Sequence, residues 1–408
     1  MSSPWSSSSS ARDRLLTELA AQLRDLDAQD LLRRLTVVEA AEGPRVWIGG
    51  RELTAWCSND YLGLCAHPRV IQAAAHACGA WGLGPRASRL LAGTSVWHAR
   101  LEAALAEWFG AEAAIVFPSG FLANLGALGA LLDAGDTVFM DRLCHASLFD
   151  AVRLTRATLR VFRHCDLDDL AALLARPGQQ RTRAGAGRRM IITEGVFSMD
   201  GDLAPLELLT ALADRHDALV YVDDAHGAFA LGPRGRGAPD AAGVAHERLL
   251  YMATLGKALG CQGGFVIGPD PLIRFLHNRA RSFLYSTALA VPVAAAAVEA
   301  LRVAAEEPQR RQRLAAVSAH LHSRLQPLLS PSSPSPVPSH IVPVMCGESR
   351  HALEVFHALW EQGIWAPAIR PPTVPDGTAR LRVSVTALHT AAQADALADA
   401  LHAILAVR

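Results

Sequence analysis

The sequence predicts an α/β protein with a large, mainly parallel-sheet domain and a smaller C-terminal α+β domain. Two observations support this prediction. From about residue 70 onward, short β-branched runs alternate with alanine-rich segments of helix length, as in sheets whose strands are joined by crossover helices. Beyond a Pro/Ser-rich stretch at 330–339, further strands and helices follow in an order typical of a separate α+β unit.

The strands of the large domain are predicted from apolar runs that are too continuous for a half-exposed sheet. These runs are 113–117, 137–140, 189–194, 218–224, 249–253 and 264–268. The smaller domain is predicted to contain the strand "IVPVMCG", a helix at about 349–362, the segments "WAPAIR" and "RLRVSVT", and a last helix.

The chain is predicted to divide into four parts. A Ser-rich tail, 1–10, lacks the basic and apolar regions of a signal peptide and is expected to be disordered. An N-terminal segment, 11–65, precedes the large domain, 66–300, and the small domain, 301–408. Within the N-terminal segment, leucines at helical spacing predict a helix over 11–42. An exposed loop is expected at 176–189.

Composition excludes several classes of function. Acidic and basic residues balance at 39 each, so no net charge draws the protein to nucleic acid or to anionic membranes. The longest apolar run, 288–301, is interrupted by proline and shorter than the roughly 20 residues that a bilayer requires. The seven cysteines are scattered and form no C-x-x-C pair, which indicates reduced thiols and no metal site. These features predict a cytoplasmic protein.

Lys257, in "ATLGKALGCQGG", is the only lysine among the 39 basic residues. Its amine can lose a proton and become a nucleophile, whereas a guanidinium cannot. A lysine in a turn of small residues is typical of sites that bind a carbonyl cofactor covalently. The alternative is a surface lysine that an arginine-rich sequence has kept by chance. The rest of a cofactor site must therefore be found independently.

Pyridoxal phosphate (PLP) is the cofactor most often paired with such a lysine. It requires an acid for its ring nitrogen, a phosphate site and a group against the ring face. "YVDDAHG" places Asp223 at the end of a predicted strand, where α/β sheets bind ligands, and His226 three residues later. The alternative for the aspartates is an N-cap. His145 follows another predicted strand and could stack on the ring, although an isolated histidine is more often structural.

A phosphate site is predicted where "VFPSGFLAN" passes from strand to helix. Helix N-termini offer free N–H groups and a partial positive charge, so Gly120 and Phe121 would lie at this site. Thr254, just before the lysine turn, offers a hydroxyl to the same phosphate. Ser286 and Thr287 are further candidate donors, from a second subunit.

Eight strings, in order from about residue 30 to the C-terminus, together resemble the α-oxoamine synthases. They are "SNDYLGL", "SRLLAGTSVWH", "FPSGFLAN", "DRLCHASLFDA", "TEGVFSMDGDLAPL", "VDDAHG", "TLGKALG" and "IRPPTVPDGTARLRVSVTALH". These enzymes are PLP-dependent transferases of fold-type I that condense an amino acid with an acyl thioester and release carbon dioxide. The resemblance therefore implies PLP as cofactor. "IRPPTVPDGTARLR" most resembles the branch that uses L-alanine and a pimeloyl thioester of CoA or of a carrier protein.

The resemblance implies a role for each matching residue around the cofactor. Lys257 holds PLP covalently and later moves the α-proton, and His145 stacks on the ring and contacts substrate. Asp223 pairs with the ring nitrogen and His226 with the phenolic oxygen. The remaining cofactor contacts that the resemblance implies are Ser198, Gly120, Phe121 and Thr254.

The resemblance also implies a substrate site and a homodimer with active sites at the subunit interface. Arg382 resembles the arginine that holds the amino-acid carboxylate, and Arg33, Arg370 and Thr373 resemble groups around the acyl substrate. Arg34 is an alternative to Arg33. A sister synthase that uses glycine with acetyl-CoA or succinyl-CoA stays open, as does a catalytically silent partner subunit.

Overall fold

The computed structural model describes residues 10–176, 187–329 and 339–406. The predicted tail at 1–10, the loop at 176–189 and the Pro/Ser stretch at 330–339 therefore fall almost wholly outside the described residues. Within the described ranges, no helix combines the length and the apolar character that crossing a membrane requires.

Strands and helices alternate along most of the described chain. The strands are β1 (Ala40–Glu42), β2 (Arg45–Ile48), β3 (Arg51–Ala55), β4 (Ala113–Phe117), β5 (Thr137–Asp141), β6 (Thr158–Phe162), β7 (Arg189–Glu194), β8 (Ala218–Asp223), β9 (Leu250–Thr254), β10 (Gly264–Gly268), β11 (Ile341–Gly347), β12 (Ile364–Trp365), β13 (Ala368–Ile369) and β14 (Ala379–Ser384). The helices are α1 (Ala11–Ala28), α2 (Pro68–Trp81), α3 (Val96–Phe109), α4 (Gly120–Leu131), α5 (Ala146–Arg153), α6 (Leu167–Leu174), α7 (Leu206–Arg215), α8 (Ala238–Ala241), α9 (Asp270–Arg279), α10 (Arg281–Leu284), α11 (Val291–Glu306), α12 (Gln309–Leu325), α13 (Ser349–Glu361) and α14 (Ala391–Ala406).

The large domain contains a seven-stranded sheet in the order β4-β10-β9-β8-β7-β5-β6. Only β10 runs antiparallel to its neighbours, so the predicted mainly parallel sheet is confirmed. All six predicted strands of this domain form, within one residue of the expected bounds. The seventh strand, β6, was not predicted. It lies at the edge of the sheet and its residues are mostly half-buried, so it lacks a continuous apolar run.

Two smaller sheets flank the large one. In the C-terminal part, β11, β14 and β13 pair antiparallel, as an α+β unit requires. The other sheet has the order β1-β2-β3-β12, and its last pairing joins Thr54 to Ile364 in parallel. Strands from the two ends of the chain therefore share one sheet, which the sequence did not predict.

The predicted helix over 11–42 is too long. Helix α1 begins with a capping box between Ser10 and Asp13 and ends at Ala28. Asp30 then adopts a left-handed backbone conformation (φ 57°), and the next regular element is strand β1. A left-handed residue cannot continue a right-handed helix, and the β-branched residues at 36–38 have low helix propensity. Helix α1 also buries no residue.

The core is continuous across the seven-stranded and three-stranded sheets and the helices that cover them. Val46, Leu53 and Ala55 of the four-stranded sheet form a separate small cluster. Helix α11 is rich in alanine and largely buried, and it packs against α2 and α3. Small side chains permit this close helix packing. The predicted boundary at residue 300 lies inside α11, and the division of the chain into parts stays a prediction.

Candidate active site

A cavity of about 200 Å³ lies at the carboxyl ends of β8 and β9 and at the start of α4. The predicted site residues that line it are Gly120, Phe121, His145, Asp223, His226, Thr254 and Lys257. They come from four separate segments of the chain. The fold thus brings together a nucleophilic amine, a carboxylate, two imidazoles and a helix N-terminus.

Lys257 lies in the turn between β9 and β10. Its Nζ lies 2.7 Å from Nε2 of His226. Desolvation lowers the pKa of the Lys257 amine to about 8, although the negative charges of Asp223 and Glu194 act in the opposite direction. The turn requires Gly260, which has φ 63° and whose added Cβ would lie 2.3 Å from the backbone nitrogen of Cys65.

His226 links Lys257 to Arg382 through Tyr61. Nδ1 of His226 lies 2.6 Å from the hydroxyl oxygen of Tyr61, which also accepts a hydrogen bond from Nη2 of Arg382 at 3.4 Å. Burial, together with the charges of Lys257 and Arg382, holds the pKa of His226 well below its usual range. The neutral imidazole therefore connects two basic groups through hydrogen bonds.

Asp223 is held by two hydrogen bonds at the end of β8. Its Oδ2 accepts from the Asn124 amide at 2.7 Å, and its Oδ1 accepts from the backbone of Ala225 at 3.0 Å. The Asn124 amide also donates to Ser147, whose hydroxyl lies 2.8 Å from Nδ1 of His145. Desolvation lowers the pKa of His145. One hydrogen-bonded network, through the buried Asn124 and Ser147, thus orients both Asp223 and His145.

The start of helix α4 forms the opposite end of the cavity. Ser119 caps the helix by accepting from the N–H of Leu122 at 3.2 Å. The first N–H groups of any helix lack helical partners and carry a partial positive charge, and here they belong to Gly120 and Phe121. Strand β10 packs directly against this turn, because a Cβ added to Gly264 would lie 2.5 Å from Cα of Gly120.

Arg382, on β14, is buried beside the cavity but does not line it. Its Nε donates to the backbone carbonyl of Ser198, and its Nη1 donates to the hydroxyl of Ser384 at 2.9 Å. The predicted cofactor contact Ser198 thus meets Arg382 through its carbonyl and is likewise absent from the cavity lining.

The predicted acyl-substrate residues form a separate cluster. Arg33 donates to the hydroxyl of Thr373 at 3.1 Å, and Arg370 donates to the carbonyl of Asp30. Arg34 is directed elsewhere, with its guanidinium 3.8 Å from Asp27 at the surface. Of the two neighbouring arginines, Arg33 is therefore the one that contacts the segment of Thr373. Neither Ser286 nor Thr287 lines the cavity of its own chain.

Glu194, Asn124 and Ser147 line the cavity and were not predicted from the sequence. Glu194 ends β7, as Asp223 ends the neighbouring β8, so a carboxylate at a strand end was an available signal. Burial, and then the charge of Asp223, raise the pKa of Glu194 well above its usual range. Its Oε1 has no hydrogen-bond partner among the described residues. A polar group of a bound ligand would satisfy this buried atom.

The side chains and N–H groups that line the cavity match those that PLP requires. The cavity offers the amine, the ring-nitrogen carboxylate, the stacking imidazole and the helix N-terminus that the cofactor requires, together with the unpartnered oxygen of Glu194.

Comparison with known proteins agrees with this chemistry. The family model for class I and II aminotransferases matches residues 51–401. An 8-amino-7-oxononanoate synthase of Anaeromyxobacter dehalogenans is 49% identical over 387 residues, which cover 95% of each chain. The enzyme of the same name from Bordetella petrii is 46% identical over 95% of this chain and 97% of its own.

Two solved structures superpose on this chain over most of its length. A serine palmitoyltransferase from S. paucimobilis, with bound PLP and myriocin, superposes with a TM-score of 0.89 at 31% identity, covering 97% of this chain and 98% of its own. An 8-amino-7-oxononanoate synthase from Francisella tularensis superposes with a TM-score of 0.73 at 27% identity, covering 86% and 96%.

The chain therefore belongs to the class I and II aminotransferase family of fold-type I, PLP-dependent enzymes, and within it to the α-oxoamine synthases. Relatives that share 43% to 49% of its residues are named 8-amino-7-oxononanoate synthase. The resemblance found in the sequence, the fold class and the cofactor are thereby confirmed.

Proposed function

We propose that this protein catalyses the decarboxylative condensation of L-alanine with a pimeloyl thioester, of CoA or of a carrier protein. The products are 8-amino-7-oxononanoate, carbon dioxide and the free thiol, and the reaction belongs to biotin biosynthesis. One observation carries the proposal: Lys257, Asp223, His145 and His226 line a single cavity in a chain that is 49% identical to an enzyme named for this product.

Bound PLP supplies an electron-withdrawing ring that stabilises negative charge at the α-carbon of an amino acid. Lys257 would hold PLP through Nζ, which takes the place of the carbonyl oxygen of the cofactor while that oxygen leaves as water. With alanine in its place, the freed Nζ would accept the α-proton. A pKa of about 8 suits both tasks, because a useful fraction of the amine is unprotonated near neutral pH.

Asp223 and His145 act on different parts of the cofactor ring. The Asp223 carboxylate, fixed by Asn124 and Ala225, keeps a ring nitrogen protonated beside it. His145, oriented by Ser147, lies against the ring and limits the access of water. His226 donates a hydrogen bond to the phenolic oxygen.

Three residues near the start of α4 hold the phosphate. The N–H groups of Gly120 and Phe121 are donors, and the partial positive charge of the helix N-terminus favours the dianion. The hydroxyl of Thr254, which here donates to the carbonyl of Gly263 at 2.7 Å, would turn to the phosphate when PLP is bound. Ser198 contributes a further cofactor contact.

Arg382 holds the alanine carboxylate until it leaves as carbon dioxide. A guanidinium can form two parallel hydrogen bonds with a carboxylate, and the contacts of Arg382 with Ser198 and Ser384 fix its plane. The cluster of Arg33, Arg370 and Thr373 supplies positive charge and a hydroxyl for the acyl substrate.

The protein acts as a homodimer, with the second copy adjoining the active site. Helix α1 exposes five leucines and buries no residue, and two aromatic side chains elsewhere are also exposed. These residues are Leu15, Leu16, Leu19, Leu23 and Leu26 on α1, Phe121 in the cavity lining, and Tyr285 at the end of α10. None of the seven cysteines, which all lie within the described ranges, forms a disulfide, and this supports a reducing compartment such as the cytoplasm.

The deciding experiment is a substrate matrix with the purified PLP-loaded protein. L-Alanine, glycine and L-serine are each combined with pimeloyl-CoA, acetyl-CoA, succinyl-CoA and palmitoyl-CoA, and products are identified by mass spectrometry. We expect the highest kcat/KM for L-alanine with pimeloyl-CoA. Faster turnover of glycine with acetyl-CoA or succinyl-CoA would instead favour a sister synthase. A protein with no borohydride-reducible cofactor absorbance would favour a silent subunit.

A further inference from the structure

A second group of buried ionisable residues lies beside the active site. His164 is located between two aspartates, with Nδ1 3.0 Å from Oδ1 of Asp141 and Nε2 2.7 Å from Oδ2 of Asp202. Both carboxylates are almost fully buried, with side-chain exposures of 1% and 3%. Neither aspartate forms another ion pair among the described residues. We call these three residues the Asp–His–Asp clamp.

The clamp carries a cation at neutral pH. Desolvation disfavours the charged imidazole, but the hydrogen bonds to Asp141 and Asp202 outweigh it and raise the pKa of His164 to about 12. Asp141 is further held by the N–H groups of Leu143 at 2.9 Å and Cys165 at 2.8 Å. A protonated histidine donates from both ring nitrogens, so it bridges two carboxylates at once.

The clamp joins three loops that follow neighbouring strands. Asp141 ends β5, four residues before His145, and His164 follows β6. Asp202 lies in the loop after β7, four residues after Ser198. The ring of Phe197 stands edge-on against His164 at 4.4 Å, and the Phe197 N–H donates to the carbonyl of Asp202 at 2.9 Å.

Two of these three loops, those after β5 and β7, each carry a group of the proposed site. The loop after β5 presents His145 to the cavity. The loop after β7 presents the carbonyl of Ser198, which accepts from Nε of Arg382. A shift of either loop would move the stacking imidazole relative to the carboxylate-binding guanidinium. No residue of the clamp itself lines the cavity.

A metal site is the competing interpretation, because Asp141, His164 and Cys165 have ligand atoms within 4.8 Å of one another. Both ring nitrogens of His164, however, are already within hydrogen-bond distance of carboxylates on opposite sides. A metal would have to displace one of these contacts.

We propose that His164 is a positioning residue, whose positive charge between Asp141 and Asp202 fixes the loops of His145 and Ser198 relative to each other. The clamp acts only through these loops and touches neither cofactor nor substrate. This inference rests on the proposed function, because it assigns the clamp to the site of that reaction.

The test compares H164N with H246N in the PLP-loaded protein. His246 is a suitable control, since it is also a half-buried histidine but contacts a backbone carbonyl, that of Arg236, at 3.1 Å. For H164N we expect unchanged PLP content, a visible circular dichroism spectrum of the cofactor that differs from wild type, and weaker L-alanine binding in spectral titration. We expect kcat to fall about 10- to 100-fold, as for displaced positioning groups. H246N should change none of these.

A double variant separates positioning from loss of stability. H164N leaves two buried carboxylates without a cation, so adding D202N should relieve the repulsion and restore part of the lost kcat. Overturning results are an unchanged kcat in H164N, equal effects of H164N and H246N, or a stoichiometric metal whose removal by a chelator abolishes activity. Absence of product from the wild-type protein would contradict the proposed function instead, and the alanine titration would still test the clamp.

Discussion

Lys257 carries the only side-chain amine of the protein, so its loss cannot be compensated by a neighbour. We expect K257R to keep the fold and to lower kcat at least about 1,000-fold, because a guanidinium does not give up its proton near neutral pH. Steady-state assays measure kcat, and thermal unfolding shows whether the variant is folded. A matched control is R274K, which adds an exposed amine at the surface. Borohydride trapping in R274K should still label Lys257 alone, and turnover by K257R would contradict the assigned role.

The lowered pKa of Lys257 predicts how the apoprotein captures PLP. The unprotonated amine is the reactive form, and its fraction rises as pH increases through the pKa of about 8. The capture rate should therefore increase from pH 6.5 to about 8.5 and level off above that. An amine with the ordinary pKa of about 10.4 would still gain reactivity beyond pH 9.5. Stopped-flow absorbance over this pH range distinguishes the two profiles.

Residues at strand ends could be predicted from the sequence, and residues that support them could not. Asp223 follows an apolar run in a recognisable string, which locates it at the edge of the sheet where ligands bind. Tyr61 hydrogen-bonds to His226 across 165 residues of chain, and Asn124 meets Asp223 across 99. Such partners depend on tertiary packing, which local pattern does not encode. The residues of the Asp–His–Asp clamp are likewise brought together by tertiary packing.

At the scale of elements, the contact between β10 and α4 supports the proposed phosphate end of the site. An added Cβ at Gly264 would meet the backbone of Gly120, which cannot yield as a side chain can. We expect G264A to destabilise the protein by about 1–3 kcal/mol and to weaken PLP binding. Denaturant unfolding and equilibrium dialysis of PLP measure the two effects.

The matched control for this contact is G268A, at the other end of the same strand. There an added Cβ meets only the side chain of Leu272, which can move. G268A should therefore leave PLP affinity unchanged. Equal affinities for all three proteins would show that the start of α4 does not depend on β10.

Elements were predictable where burial is complete. The continuous apolar runs of β4, β5, β7, β8, β9 and β10 signalled a sheet covered on both faces. The exposed strand β1 and the half-exposed edge strand β6 carry no such signal. Leucine spacing correctly indicated α1 but not its end, because helix termination depends on the backbone of Asp30.

At the scale of the whole molecule, we expect helix α1 to form part of the dimer interface. Its leucines are exposed in a single chain, and a second copy would cover them. Removal of residues 2–28 should shift the protein from dimer toward monomer, whereas removal of residues 2–9, which keeps the Ser10 cap of α1, should not. Light scattering over a dilution series measures the mass. A fully dimeric protein without residues 2–28 would exclude α1 from the interface.

The pairing of β3 with β12 also sets an order of events during synthesis. Thr54 pairs with Ile364, so the edge of β3 has no partner until the ribosome has added 310 further residues. At about 5–20 residues per second, this interval lasts between about 15 and 60 s. During it, the nascent chain presents an open strand edge to other chains, a known source of misassembly. The N-terminal sheet can therefore be completed only near the end of translation.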